Sequence, residues 1–267
     1  MFNWILDHES SIRLSIFALV FLMIALWELL SPKRSLSMAR SKRWLTNLSL
    51  VIVDGLTVKV IFPIAAMGVA ILCQQQQWGL FQQIELPIWS AAILSWLILD
   101  MVIYFQHKLF HSVPILWRLH QVHHSDIDID VSTGVRFHPF EIIISMLIKL
   151  ITIFALGAPL IAVFIFEVCL NAFALFNHAN LRLPHHIDRT LRRLIVTPDM
   201  HRVHHSVIPR EYNSNFGATI SLWDRLFGSY IAQPIKGHAE MNIGLSAYRS
   251  PQYSKLHTLL IFPFKSK

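Results

Sequence analysis

Long apolar segments are the feature that most constrains this chain. Four such regions, residues 12–30, 45–73, 87–105 and 140–176, follow one another through the first two thirds of the sequence. A helix rises ~1.5 Å per residue, so about 20 apolar residues cross the ~30 Å hydrocarbon core of a bilayer. Charged residues make up 15% of the chain, against about 25% in an average soluble domain. The sequence therefore predicts an all-α, multi-pass integral membrane protein with about four transmembrane helices.

Polar and helix-breaking residues divide two of these regions. The second contains Asp54, Lys59 and Pro63, so we expect it to be kinked or shielded by neighbouring helices, since proline removes a helical hydrogen bond. The fourth contains a Gly-Ala-Pro sequence at 157–159. Because glycine and proline together favour a turn, this region is expected to form a tight helical hairpin.

Basic residues predict how the chain is oriented in the membrane. The loop at 31–44 carries five Lys or Arg residues, the loop at 74–86 carries none, and residues 182–225 carry seven arginines. Lys and Arg concentrate in cytoplasmic loops, so the first loop and the C-terminal third are expected on the cytoplasmic side. A bacterial inner membrane is favoured, with the endoplasmic reticulum as the alternative. The net charge of +7 is interpreted as this topology signal and as an attraction to anionic lipid, not as a sign of a nucleic-acid partner.

Histidines are the second unusual feature, with 15 in the chain. Eight of them form sets with helical spacing, the pair His107/His111 and the triplets His120/His123/His124 and His201/His204/His205. Residues three and four apart share one face of a helix, so each set aims its imidazoles at one point. All these sets follow the points, after residues 105 and 176, at which the predicted topology returns the chain to the cytoplasm. We therefore expect a cytoplasmic helical cap that carries them all.

The joint histidine pattern indicates metal binding. Burying a polar group with unmet hydrogen-bonding capacity costs roughly 1–3 kcal/mol, and coordination as a neutral ligand removes that cost. Eight to ten ring donors are too many for one ion, so two ions in a shared pocket are expected. Imidazole suits iron, zinc, copper and nickel, and by affinity zinc would replace Fe(II). The ligand type alone therefore leaves the metal open.

Several other functional classes lack their motifs. The chain has no HExxH, GxSxG or GxGxxG sequence and no phosphate-binding loop, which argues against a zinc protease, an acyl hydrolase and a nucleotide-binding protein. Its two cysteines are too few for an iron–sulfur cluster. A membrane haem electron carrier and a metal transporter are kept as alternatives, although a permeation path would place ligands near the bilayer midplane.

A sequence of motifs resembles a known family. The run HKLFH, then LWRLHQVHHS, RFHPFE and HRVHHS, followed by YNSNFG and LWDRLFGSY, resembles the fatty acid hydroxylase superfamily over about residues 100–230. That superfamily includes sterol desaturases, C-4 methylsterol oxidases, fatty acid 2-hydroxylases and alkylglycerol monooxygenase. The resemblance implies two iron ions held by histidines, with zinc as a substitute, and the use of O2 and two electrons to oxidise a lipid C–H bond. It also implies a membrane lipid substrate, sterol, fatty acyl or ether lipid, and a separate electron donor: a ferredoxin, a cytochrome or a reductase.

The resemblance also implies a set of ligands and neighbouring residues. Ten histidines are candidate metal ligands: His107, His111, His120, His123, His124, His138, His178, His201, His204 and His205. Of these, His138 and His178 either bind metal or support the other rings. Carboxylates often orient a ligand ring through its second N–H, so Asp100, before His107, and Asp199, beside His201, are expected at the catalytic site. Tyr104 is expected to join the same network.

The remaining motif residues are given less direct roles. Asn213, Asn215 and Gly217 resemble the closing loop of the family, and Asp224 is expected to cap and pack the C-terminal segment. The histidines at 185 and 186 are expected on the surface. We divide the chain into an N-terminal transmembrane region at 1–86, a catalytic region at 87–232 and a C-terminal tail at 233–267.

Overall fold

Five helical segments are long and apolar enough to cross a membrane in the computed structural model, which describes residues 8–265. The five segments are Glu9–Leu30, Arg40–Gln83, Ile88–Ser112, Pro139–Leu156 and Leu160–Asn177. Over residues 8–265 the fold consists of α-helices, short 3-10 helices and three isolated bridges, with no β-strand. The predicted all-α class is confirmed, and the apolar segments agree with an integral membrane protein.

Fourteen α-helices and four 3-10 helices make up this described part of the chain. The α-helices are α1 Glu9–Leu30, α2 Arg40–Ile61, α3 Ala66–Gln76, α4 Leu80–Gln83, α5 Ile88–Ser112, α6 Pro114–His124, α7 Pro139–Leu156, α8 Leu160–Asn177, α9 His185–Leu191, α10 Pro198–His204, α11 Pro209–Tyr212, α12 Leu222–Leu226, α13 Gly237–Glu240 and α14 Leu256–Ile261. The 3-10 helices are Val131–Val135, Ser246–Tyr248, Pro251–Ser254 and Phe262–Phe264.

The second apolar region, which was expected to be kinked or shielded, is interrupted at its proline. The helix α2 ends at Ile61 and α3 begins at Ala66, with Pro63 in the gap between them. A proline ring clashes with the preceding helical turn and donates no backbone hydrogen bond, so one straight helix cannot continue through this position. The predicted kink is therefore a complete break, and both pieces pack against α7.

The fourth apolar region forms the predicted hairpin. The helix α7 ends at Leu156 and α8 begins at Leu160, and Gly157 between them has a φ of 60°. Glycine adopts this left-handed conformation without the penalty that a Cβ atom would impose. Each arm has 18 residues and is therefore about 27 Å long. Each arm is thus a candidate span, which gives five candidates where the sequence predicts about four, and the number of crossings stays a prediction.

Shorter helices, among them α6, α10 and α14, form a cap against the ends of the long ones. Only Val113 separates α5 from α6, so the chain turns directly from a candidate span into the cap. The helix α10 packs against α8. The end of the described chain packs against the cap as well, because Leu259 and Phe262 share a buried apolar cluster with Val122 of α6. The cap is therefore built from segments that are far apart in the sequence.

A buried charge network joins α2 to the loop that follows α6. The Arg43 side chain is buried and donates to both carboxylate oxygens of Asp126, at 2.8 and 2.7 Å, and to Asp130 at 2.5 Å. Burial raises the pKa of Asp126, but the charge of Arg43 outweighs this effect and holds that pKa well below its usual value. Arg136, also buried, donates to the carbonyl oxygen of Val122 and to Asn47 of α2, at 2.8 Å in each case. The network fixes the C-terminal end of α6, where three histidines lie.

We expect Arg43→Ala to lower the free energy of unfolding by roughly 3–5 kcal/mol, because it leaves buried carboxylates without a counter-charge. The measurement is equilibrium unfolding in detergent micelles. Lys42→Ala is the matched control, since Lys42 is adjacent and exposed. A loss of under about 1 kcal/mol for Arg43→Ala, within the range of exposed ion pairs, would contradict the structural role of the network.

Candidate metal centre

Nine histidines come together in two groups. Within each group, the ring nitrogens that can bind a metal all lie within 4.8 Å of one another. The first group contains His107, His111, His120, His124 and His204, and the second contains His123, His178, His201 and His205. Rings of the two groups are in contact, because His124 and His205 stack with their centroids 4.6 Å apart. The two groups therefore form one continuous centre.

Each histidine triplet is divided between the two groups. In α6, His120 and His124 belong to the first group and His123 to the second. The triplet that ends α10 has the reverse arrangement, with His204 in the first group and its other two members in the second. Residues i and i+4 stay together because they lie on one stripe of a helix. The i+3 residue of each triplet is on the side that faces the other group.

Protein acceptors hold most of the rings by their Nδ1 atoms. Four Nδ1 atoms lie 2.7–3.3 Å from a backbone carbonyl oxygen, those of His107 at Phe216, His123 at Arg136, His178 at Ala174 and His204 at Ser214. The Nδ1 of His120 lies 2.6 Å from the Glu141 carboxylate. A carbonyl oxygen only accepts hydrogen bonds, so Nδ1 carries the proton in the four carbonyl-bonded rings. The Nε2 atom of each of these four rings then presents a lone pair.

The Nε2 atoms face one another inside the centre. The Nε2 of His178 lies 3.0 Å from the Nε2 atoms of both His123 and His201. For His123 and His178 these are two lone pairs that repel at this distance. Within residues 8–265, other ring nitrogens of the centre are buried without a hydrogen-bond partner: Nε2 of His111 and His204, Nδ1 of His201 and both nitrogens of His124 and His205. A cation satisfies such lone pairs, so this donor set fits metal ions.

Burial keeps the rings of the cap neutral. It lowers the pKa of His120 to about 3 and, with help from neighbouring histidines, that of His178 to about 3. Burial and the neighbouring histidines together also hold the pKa values of the remaining cap rings well below 6.5: His123, His124, His201, His204 and His205. Since only a neutral imidazole binds a metal, the centre is ready to bind without first losing protons.

The comparison with protein families agrees with this centre. Residues 92–229 match the model of the family described as Fatty acid hydroxylase, which is 138 of the 267 residues and includes every histidine of both groups. The chain belongs to the fatty acid hydroxylase family.

Curated relatives of this family member oxidise lipids, according to their names. The ornithine lipid hydroxylase OlsE of Rhizobium tropici is 32% identical over 160 residues, 59% of this chain and 46% of that protein. An alkylglycerol monooxygenase of Xenopus tropicalis is 28% identical over 202 residues, 74% of this chain and 44% of the relative. The fatty acid hydroxylase vlmA of Lecanicillium sp is 31% identical over 157 residues, 53% of this chain and 42% of the relative. The match spans less than half the length of these relatives, and no solved structure matches the chain.

The structure separates the two histidines whose roles the sequence leaves open. His178 lies inside the second group, with its Nε2 atom toward the centre. His138 belongs to neither group of the described residues. Its Nδ1 accepts from the N–H of Phe140 at 3.2 Å, so it caps the start of α7, and its Nε2 donates to the Leu260 carbonyl oxygen at 3.3 Å. Both of its ring nitrogens thus have protein partners outside the two groups, and these contacts support neither of its expected roles, as a metal ligand or as a support for the other rings.

The three predicted site residues that are not histidines form none of the expected hydrogen bonds to the rings of the metal centre. The Asp100 carboxylate accepts from the Thr219 hydroxyl and from Trp223 Nε1, the latter at 2.8 Å, and not from a histidine. The Tyr104 hydroxyl lies 2.7 Å from that of Ser229. The Asp199 carboxylate accepts from Lys33 at 2.7 Å and from Arg202 on its own helix, while Nδ1 of His201 has no partner in the described chain. Asp100 and Tyr104 therefore hold residues 219–229, which follow the second histidine triplet, rather than the rings themselves.

One residue that orients a ring, Glu141, was not among the site residues predicted from the sequence. The Glu141 carboxyl group lies 2.6 Å from Nδ1 of His120, and Glu141 is the last residue of the RFHPFE motif. The closing loop supplies the carbonyl oxygens of Ser214 and Phe216. Asp224 holds that loop by accepting from the N–H groups of Phe216 and Gly217 at 2.7 and 2.8 Å. The expectation that Asp224 packs and caps, rather than reaching the metal centre, agrees with these contacts.

We expect Glu141→Ala to weaken zinc binding roughly 10- to 100-fold, because it removes the acceptor that orients the His120 ring. Glu141→Gln keeps an acceptor oxygen and should retain most of the affinity. The measurement is competition for zinc against a chelator of known affinity. Glu85→Ala, in an exposed loop, is the matched control. Equal affinities for Glu141→Ala and Glu85→Ala would contradict an orienting role.

The metal-free protein should lose stability as the pH falls below about 6.5. The unfolded state takes up protons near pH 6.5, whereas the folded rings stay neutral to much lower pH, for His120 and His178 to about 3. The free energy of unfolding should thus drop between pH 7.5 and 5.5 by about 1.4 kcal/mol for each ring that stays neutral. The measurement is unfolding in detergent with a chelator present.

Two double variants test this pH dependence. His123→Ala with His124→Ala removes two buried rings, so its dependence should be shallower than that of the natural sequence. His185→Ala with His186→Ala removes two exposed rings and should leave the dependence unchanged. The same slope in both double variants would show that the buried rings are not its source.

Proposed function

We propose that this family member is a membrane-bound, non-haem di-iron oxidoreductase that uses O2 and two external electrons to hydroxylate or desaturate a lipid C–H bond. The observation that carries the proposal is the convergence of nine buried or half-buried histidines into two adjoining groups at the ends of candidate membrane spans. Two groups of ligands suit two ions, and their position suits a substrate that resides in the bilayer.

The two groups would each hold one ion. When bound, the iron pair would supply the chemistry that activates O2 for attack on an unactivated C–H bond. The protein contributes neutral rings held in one tautomer by carbonyl oxygens, as for His107 and His204. The burial of most of these rings limits the access of water to the centre, which would favour oxidation of the substrate over side reactions.

The location of the centre supports access from the membrane. His107 and His111 lie in the last two turns of the candidate span α5, and His178 follows directly after the candidate span α8. This arrangement supports a centre at one face of the membrane. The basic loop and C-terminal third favour the cytoplasmic face, and we propose that the centre lies there, with a bacterial inner membrane favoured.

The names of the relatives support a lipid substrate. One is named a hydroxylase of ornithine lipid and another a monooxygenase of alkylglycerol, and we extend lipid oxidation from them to this chain as a proposal. The electrons are proposed to come from a separate ferredoxin, cytochrome or reductase. Within the described residues, Cys73 and Cys169 are both free and lie in different candidate spans, so they form no electron-transfer cluster with each other.

Comparative mass spectrometry of lipids tests the proposal directly. Cells that express the chain should contain a lipid with one added oxygen atom for hydroxylation, or with two hydrogen atoms fewer for desaturation. His123→Ala with His124→Ala should abolish this product and reduce the iron content, because it takes one ring from each group. The exposed pair His185→Ala with His186→Ala should change neither quantity. An undiminished product in the first double variant would reject the dimetal centre.

The same cells discriminate the two alternative functions. A haem electron carrier would give the purified protein a Soret absorbance, and a metal transporter would change cellular metal uptake without a new lipid. The positions of the histidines favour neither, because they lie at and beyond the ends of the candidate spans instead of near the middle of the bilayer. A permeation path needs ligands near the midplane.

A further inference from the structure

An open cleft of about 460 Å³ lies beside the first histidine group. Trp117 and Tyr212 form part of its wall, and their rings stack with centroids 5.4 Å apart and planes 12° apart. Trp117 also contacts the rings of His111 and His124, at centroid distances of 4.7 and 5.4 Å. One aromatic layer therefore separates this cleft from the rings of the metal centre.

The cleft lies at the level where two candidate spans end. Pro114, which lines it, is the second residue after the end of α5 at Ser112. Lys265 also lines it, and the preceding Phe264 has its ring 5.7 Å from that of Phe140, at the start of α7. The ends of membrane spans mark the depth of the lipid headgroups, so the cleft opens in the headgroup region.

The charged side chains that line the cleft are all positive. Arg118 and Lys265 are exposed side chains that line it. None of the fourteen lining residues found in the described chain is Asp or Glu. Arg and Lys bind phosphate and carboxylate groups by charge-assisted hydrogen bonds. The cleft is therefore complementary to an anion, while its aromatic wall is complementary to the apolar part of a lipid.

We propose that this cleft binds the negatively charged headgroup of a lipid, and that Arg118 and Lys265 select that charge. Its volume is within the range of small-ligand pockets, about 300–1,000 Å³, which suits a headgroup better than the surface of a folded protein. The further statement that this lipid is the one oxidised rests on the proposed function. Headgroup binding itself requires no oxidation, so it can be measured separately.

The test compares two short-chain phospholipids with identical tails. Dihexanoyl phosphatidylglycerol carries a negative charge, and dihexanoyl phosphatidylcholine has no net charge. Calorimetric titration of the zinc-loaded full chain in a neutral detergent should show tighter binding of the phosphatidylglycerol. Arg118→Gln with Lys265→Gln should weaken that binding roughly tenfold to thirtyfold and leave phosphatidylcholine binding and the zinc content unchanged. The preference should also shrink at high salt, because the charges are exposed.

A matched double variant separates this cleft from general surface charge. Arg189→Gln with Arg193→Gln removes two exposed positive charges that do not line the cleft, and it should keep the preference for phosphatidylglycerol. Equal loss in both double variants, or no preference in the natural sequence, would overturn the proposal. Inorganic phosphate is the third probe. If it binds as tightly as phosphatidylglycerol, the cleft is a free-phosphate site and the lipid proposal is wrong.

The outcomes for the cleft and for the proposed function can be told apart. If the cleft shows its charge preference but cells produce no oxidised lipid, the proposed function fails and the headgroup site stands. If lipid is oxidised but binding shows no charge preference, the headgroup site fails and the proposed function stands. An acidic partner protein that binds the natural sequence and not Arg118→Gln with Lys265→Gln, without any lipid preference, would assign the cleft to protein docking and overturn the proposal.

Discussion

Keeping many imidazole rings neutral and close together is the constraint on which the rest of this structure depends. Each buried ring has two nitrogens that need partners, and an unsatisfied one costs roughly 1–3 kcal/mol. In most rings the Nδ1 atom lies at hydrogen-bond distance from a carbonyl or carboxylate oxygen, and the Nε2 atom points into the centre. The inward lone pairs, as between His123 and His178, repel unless a cation lies among them. A bound cation would offset both the repulsion between these lone pairs and the cost of the unsatisfied nitrogens, and would thus stabilise the buried cluster.

Much of the cap serves to hold the acceptors of these rings in place. The closing loop presents the carbonyl oxygens of Ser214 and Phe216, and the Asp224 carboxylate fixes that loop from behind. On the other side, Arg43 joins the long helix α2 to the loop after α6 through buried carboxylates. The free-energy cost of desolvating such buried charges offsets much of the attraction between them. Here they define one geometry for the C-terminal end of α6.

The sequence predicted the fold class and most of the candidate centre, for reasons that can be traced to particular residues. Pro63 and Gly157 act through their own backbone geometry, so an irregularity in the second apolar region and the hairpin turn could be foreseen, although the expected kink is a complete break. The histidine spacings also act locally, because residues i and i+4 share a helical stripe wherever the helix lies. His138 shows the limit of such local patterns, since a histidine close in sequence to the first triplet caps a helix in the structure. Asp100 shows the same limit, because its partners lie about 120 residues away.

Composition and periodicity by themselves determined that this chain is helical, rich in apolar segments and equipped with sets of converging imidazoles, because those properties depend on near neighbours in the sequence. Only the tertiary structure decided which rings form each group, dividing both triplets between the two. It also decided that Glu141 and loop carbonyls, not Asp100 or Asp199, orient the rings, and that a basic cleft adjoins the centre. These features arise from contacts between segments that are far apart along the chain, and no local pattern encodes such contacts.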